Sequence, residues 1–179
     1  MYPLFKRGDL IVVENANFEF NPKDIKVGDI VVYKAHWPSV QYILDEIMIK
    51  YHLNPEKTLF LFNVTNSKTI DIRYLGNADD YNIYEYKGYA STKPVVHRVI
   101  KIIHFNNKEY LLIKGDNNPI HDPELVSINQ VYQRVVTIDG KPLVIPYVGY
   151  ISIYLKEYWY IVLLMFVMYY LYNYIKRDN

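Results

Sequence analysis

Short apolar runs, each released by a turn, fill most of the chain, and one longer run closes it. Lys6-Arg7-Gly8-Asp9 precedes Leu10-Ile11-Val12-Val13, and Lys26-Val27-Gly28-Asp29 precedes Ile30-Val31-Val32-Tyr33. A Gly-Asp turn feeding β-branched residues is how a tight turn opens into a buried strand, so both runs are predicted strands of one core. The period then changes. Val40, Ile43, Leu44, Ile47, Met48 and Tyr51 recur at helical spacing, with Ser39 as the expected N-cap and Asn54-Pro55 as the stop. Strand patterns resume at 58–64, 69–74 and 81–86, with Gly76-Asn77 and Gly88 expected to mark the turns. The helix and these three runs are read together as an inserted lobe over residues 35–93.

Beyond Pro94 the strand pattern returns at 95–103, 109–114 and 131–138, each run bounded by Asn, Gly, Asp or Pro. Asn106-Asn107 is predicted to turn a hairpin between the first two. That hairpin brings His97 and the Gly115-Asp116 turn to the same end of adjacent antiparallel strands.

The closing run, 158–175, is 18 residues long. As a helix it measures about 27 Å, close to one hydrocarbon thickness. Aromatic residues crowd both of its ends, and no face is polar, which argues for a membrane span over a buried core helix. Lys176-Arg177 places the C-terminus in the cytoplasm by the positive-inside rule and the larger N-terminal part outside, with Lys156 on the opposite flank.

Composition narrows the chemistry. Twenty tyrosines suit both strands and membrane boundaries, where the ring is apolar and the hydroxyl wet. A formal charge of +1 leaves no basic stripe for a phosphate backbone, so nucleic acid is not an expected partner. With no cysteine, disulfides, cysteine-type zinc sites and thiol nucleophiles are excluded, and chemistry falls to oxygen and histidine.

His97 lies in Val95-Val96-His97-Arg98-Val99-Ile100, and alternation puts it on one face with Val95 and Val99 while Arg98 points to the other. A lone histidine on an apolar strand is most often a core residue. Two carboxylates in reach, Asp116 and Asp122, change that weighting. A serine hydroxyl needs a neighbouring imidazole to take its proton, and the imidazole needs an acid on its other nitrogen. Either aspartate suits the second role, whereas the turn Gly115-Asp116-Asn117-Asn118-Pro119 by itself reads equally as a polar turn with Asp116 on its own backbone.

An ordered set of boxes goes further: Met1-Tyr2-Pro3 with Arg7-Gly8-Asp9-Leu10, Val27-Gly28-Asp29-Ile30-Val31-Val32-Tyr33, Val96-His97-Arg98-Val99, Lys114-Gly115-Asp116-Asn117-Asn118 with Asp122, and Pro146-Tyr147-Val148-Gly149-Tyr150. This set resembles signal peptidase I of the archaeal and endoplasmic-reticulum type, the histidine branch of a serine peptidase family. The resemblance implies a mainly β, signal-peptidase-like catalytic domain. It implies His97 as general base, Asp122 as its essential partner and Asp116 as a residue ordering the turn. The family's nucleophile stands before the methionine of Ser-Met-x-Pro, so the serine is expected immediately before Met1. Ser39, Ser67, Ser91, Ser127 and Ser152 do not occupy that motif. One upstream extension, a transmembrane helix ending in serine, would supply both the nucleophile and the means of export.

The expectation is a membrane-bound serine endopeptidase that removes N-terminal signal peptides from exported preproteins. Residues 1–155 would form the extracytoplasmic peptidase domain, with the 35–93 lobe inserted. Residues 156–179 would form a transmembrane helix and short cytoplasmic tail in the cell membrane. Signal peptides, the lipid bilayer and the protein translocation machinery are the expected partners. No metal or cofactor is required. The competing expectation is a catalytically inactive signal-peptidase-like binding protein anchored in the membrane.

Overall fold

The computed structural model describes residues 4–177, so Met1-Tyr2-Pro3, the first box of the resemblance, lies outside the described residues. The described chain is mainly β. In order it forms β1 (Leu10–Ile11), β2 (Val13–Asn15), β3 (Ile30–Ala35), α1 (Gln41–Lys50), β4 (Thr58–Val64), β5 (Asp71–Ala78), β6 (Tyr81–Gly88), β7 (Lys93–Phe105) and β8 (Lys108–Lys114). It continues with β9 (Val126–Ser127), β10 (Val131–Val135), β11 (Thr137–Ile138), β12 (Lys141–Pro142), β13 (Val144–Ile145) and α2 (Gly149–Arg177).

A six-stranded antiparallel sheet in the order β2-β10-β3-β7-β8-β9 is the frame of the molecule. The β-branched run after Gly28-Asp29 becomes β3, a central strand, and five of its six residues are buried. Asn106 and Asn107 both take positive φ, as a two-residue hairpin turn between β7 and β8 requires. Alternation along β7 sends Val99 into a core with Val31, Tyr33, Leu111 and Ile113. A bulge between Val99 and Lys101 then resets the faces, and Ile103 and Phe105 enter a second core with Leu59, Ile83 and Leu112.

Between β3 and β7, which are neighbours in the sheet, the chain makes the excursion that holds α1 and a three-stranded sheet ordered β4-β6-β5. Val40, Leu44 and Ile47 of the helical pattern pack on Phe60 and Tyr86. β4 is parallel to β6 and also bonds to the main body, where the Phe60 N–H donates to the Pro123 carbonyl at 2.8 Å and the Leu125 N–H donates to that of Phe60 at 3.0 Å.

Two local expectations are corrected here. Ser39 is not the N-cap of α1; it ends a 3-10 turn over Trp37–Ser39, and its hydroxyl donates to the His36 carbonyl at 2.8 Å while Val40 takes the cap position. Gly76-Asn77 is not a turn but part of β5, at a bulge, and the chain reverses at Asp79-Asp80 instead.

Helix α2 begins at Gly149, ahead of the predicted run, and its backbone leaves helical geometry at Tyr158, where that run was expected to start. Before the kink Tyr150, Tyr154 and Tyr158 stack in succession. From Gly149 to Tyr174 the helix is long and apolar enough to cross a membrane, and none of its apolar window is buried. Its root is locked to the start of the chain: the Gly149 N–H donates to the Gly8 carbonyl at 2.9 Å. Gly8 takes φ +90°, and a Cβ there would overlap the Tyr150 ring.

Candidate active site

His97 pairs with Val31 across the β3–β7 ladder, and Tyr33 lies diagonal to it, opposite Val95. One face of two central strands therefore carries the imidazole and a tyrosine side by side. After β8 the chain turns at Gly115, runs outward, and returns so that the Asp122 N–H donates to the Ile113 carbonyl at 2.8 Å. That return delivers the Asp122 carboxylate beneath the sheet, 2% exposed, with Oδ2 2.7 Å from His97 Nδ1.

An ionised carboxylate only accepts, so His97 Nδ1 is the donor of this bond, and in the neutral ring the lone pair falls to Nε2. The ring is 14% exposed, which keeps it ordered and still reachable. Nε2 faces the Gly115 turn: a Cβ built on Gly115 would stand 2.8 Å from Nε2 and 2.9 Å from Asn118 Nδ2. Any side chain at position 115 would crowd the one nitrogen that can accept a proton. Among the described residues no hydroxyl is hydrogen-bonded to Nε2.

Asp116 goes elsewhere. Its two oxygens accept from Arg98 Nε at 2.9 Å and the adjacent guanidinium nitrogen at 3.1 Å, and Arg98 also donates to the Gly28 carbonyl at 2.8 Å. Arg98 points away from the His97 face, as alternation requires, and ties the Gly115 turn to the turn before β3.

Five residues of this neighbourhood, Tyr33, His36, Trp37, Glu124 and Gln130, were not among the site residues expected from the sequence. The Tyr33 hydroxyl donates to Asp122 Oδ2 at 2.8 Å and accepts from the Trp37 indole at 3.1 Å. Burial, reinforced by the negative charge of Asp122, holds the Tyr33 hydroxyl well above its ordinary value, so it stays a donor. A second pair stands behind Trp37: Glu124, 1% exposed, lies 2.7 Å from His36 Nδ1 and accepts the backbone N–H groups of His36 and Trp37 at 2.7 and 3.2 Å. Gln130 Nε2 donates to Glu124 Oε1 at 2.7 Å. A tyrosine within a buried strand is itself a signal, because its hydroxyl needs a partner. Nothing in the sequence pairs His36 with Glu124, which lie 88 positions apart.

Among the described residues no group of three or more His, Asp or Glu is arranged to hold a metal ion. The arrangement is that of a part-buried, oriented imidazole whose Nε2 stands beside Gly115, able to accept a proton from a hydroxyl placed there.

The chain is 61% identical over 181 aligned residues to the uncharacterized protein MJ0260 of Methanocaldococcus jannaschii, an alignment covering 98% of this chain and 89% of that protein. It is 38% identical over 95 residues to the signal peptidase complex catalytic subunit SEC11 of Clavispora lusitaniae, and 35% identical over 104 residues to that of Candida tropicalis. These alignments take in 49% and 55% of this chain, and the chain spans 56% and 55% of the two SEC11 proteins. No family model and no solved structure matches it. The chain thus belongs to one family with the Methanocaldococcus jannaschii protein, and over about half its own length it is similar to signal peptidase complex catalytic subunits.

Proposed function

We propose that this chain contributes the catalytic base, its acid and a C-terminal anchor to a membrane-bound serine endopeptidase that removes N-terminal signal peptides from exported preproteins. The observation that carries this reading is the His97–Asp122 pair, buried at the carboxylate, with Nε2 open beside Gly115. The half-length similarity to catalytic subunits of the signal peptidase complex supports the same chemistry.

In this reading the nucleophile is a serine directly ahead of Met1. Its hydroxyl attacks the scissile carbonyl, His97 takes the proton at Nε2 and returns it to the leaving amine, and Asp122 holds the ring and offsets the imidazolium charge. Asp116 acts at one remove, fixing the turn through Arg98. The peptidase domain takes in residues 1–155 with the 35–93 lobe inserted, and residues 156–179 are the anchor and tail. A bare, 26-residue apolar helix favours insertion in lipid, because exposed apolar area on this scale is not sustained in water. Lys176-Arg177 puts the tail in the cytoplasm and the site outside the cell membrane. Preproteins, the bilayer and the translocation machinery are its partners.

The test is cleavage of a preprotein carrying small residues at its junction, by the full-length native protein in detergent. Cutting at that junction is expected, with a loss of about 10³-fold or more on His97→Ala. Undiminished cutting by His97→Ala would falsify the mechanism. A preprotein bound tightly but left whole by the unaltered protein would favour the inactive, binding alternative.

A further inference from the structure

The oxygen of Asp122 that meets His97 is shared. Oδ2 accepts from His97 Nδ1 at 2.7 Å and from the Tyr33 hydroxyl at 2.8 Å. Tyr33 is fully buried, and its own oxygen accepts from the Trp37 indole at 3.1 Å. Trp37 is fixed in turn by its backbone N–H on Glu124. Glu124 is held from the other side by the inserted lobe, where Phe60 of β4 bonds the residues on both sides of it, Pro123 and Leu125.

Orienting the histidine needs only the carboxylate. A second donor on the same oxygen does something different: it competes for the lone pairs and withdraws part of the negative charge that His97 feels. We propose that Tyr33, aimed by Trp37, is a positioning residue that holds Asp122 Oδ2 and draws off part of its charge, so that the His97 ring takes up its second proton less readily than it would against a bare carboxylate. A general base must be free of that proton at working pH, so the value of this device for catalysis rests on the peptidase reading. The other charged groups around the ring are already committed: Asp116 to Arg98, and Glu124 to His36 and Gln130. Lys114, on β8, stands opposite Arg98 rather than His97, and the His121 ring nitrogens face the backbone carbonyls of Asp122 and Glu56. Tyr33 is the side chain whose bond the charge on Oδ2 meets directly.

The measurement is a nitrogen-15 NMR titration of the His97 ring in the full chain in detergent micelles, which needs no nucleophile. In Tyr33→Phe the midpoint is expected to move to higher pH by about half a unit, the scale of one modest hydrogen bond lost from the charged partner. In Trp37→Phe it should move the same way by less. An unmoved or lowered midpoint in folded Tyr33→Phe overturns the proposal. If that variant does not fold, Trp37→Phe decides alone, and an unmoved midpoint there overturns it. In the cleavage assay the acidic limb of kcat/KM should follow the same shift with KM unchanged. A shift in the titration without any cleavage by the unaltered protein would sink the peptidase reading and leave the charge sharing standing. Cleavage without the shift would do the reverse.

Discussion

Asp116 and Asp122 are six positions apart in one polar segment, and they end in different environments. Asp122 is carried inward by a backbone bond to Ile113 and meets His97, whereas Asp116 stays near the surface and clasps Arg98. From spacing alone both were within reach of the histidine, because period-2 alternation fixes which face a strand residue takes but not where an eight-residue loop returns. The family resemblance implies Asp122 as the partner of His97, and it is Asp122, not Asp116, whose carboxylate lies against the ring. Their substitutions should differ accordingly. Asp122→Asn is expected to lower kcat by about 10⁴-fold, since an amide there favours the wrong tautomer. Asp116→Asn breaks a half-exposed ion pair of about 1 kcal/mol or less and should cost only a few-fold. Parallel kcat measurements on the two variants check this, and equal losses would show that Asp116 does more than hold the turn.

At the scale of elements, the strands and the hairpin were readable because their signals are local: β-branched runs, Gly-Asp releases and an Asn-Asn turn. What escaped were the joints. Ser39 carries a cap-forming side chain, but a 3-10 turn placed it one step early and its hydroxyl went to His36. Gly76 carries a turn signal, but in an extended hairpin it served a bulge. The Glu124 cluster was invisible because it joins residues from β3's end, the lobe and the segment after Asp122, and only tertiary structure brings these together. Glu124 stitches the lobe's first turn to that segment, so Glu124→Ala should leave two backbone donors and His36 without their acceptor. The expected cost is about 3 kcal/mol. Hydrogen exchange at the His36 and Trp37 amides reads it directly. Protection unchanged from the parent would show that the stitch contributes nothing.

For the whole molecule the sequence predicts a membrane helix, and among the described residues none of that helix's apolar window is buried. The kink at Tyr158 divides it into a tyrosine-faced first part and a strongly apolar remainder, which puts Trp159 at the division. The chain has two tryptophans, Trp37 and Trp159, so Trp37→Phe leaves one reporter. In vesicles with brominated lipids, Trp159 fluorescence should be quenched most by bromine near the headgroups and less by bromine deep in the tails, as for an interfacial aromatic. Absence of quenching at every depth would remove the helix from the bilayer.

Where Gly8 and Gly149 meet, main chain touches main chain with no side chain between them. The joint leaves no room for a side chain at either glycine: a Cβ on Gly8 would overlap the Tyr150 ring, and one on Gly149 would stand 2.9 Å from the Gly8 carbonyl oxygen. On the proposed reading, a side chain at either glycine would part the first turn of the anchor from the start of the peptidase domain.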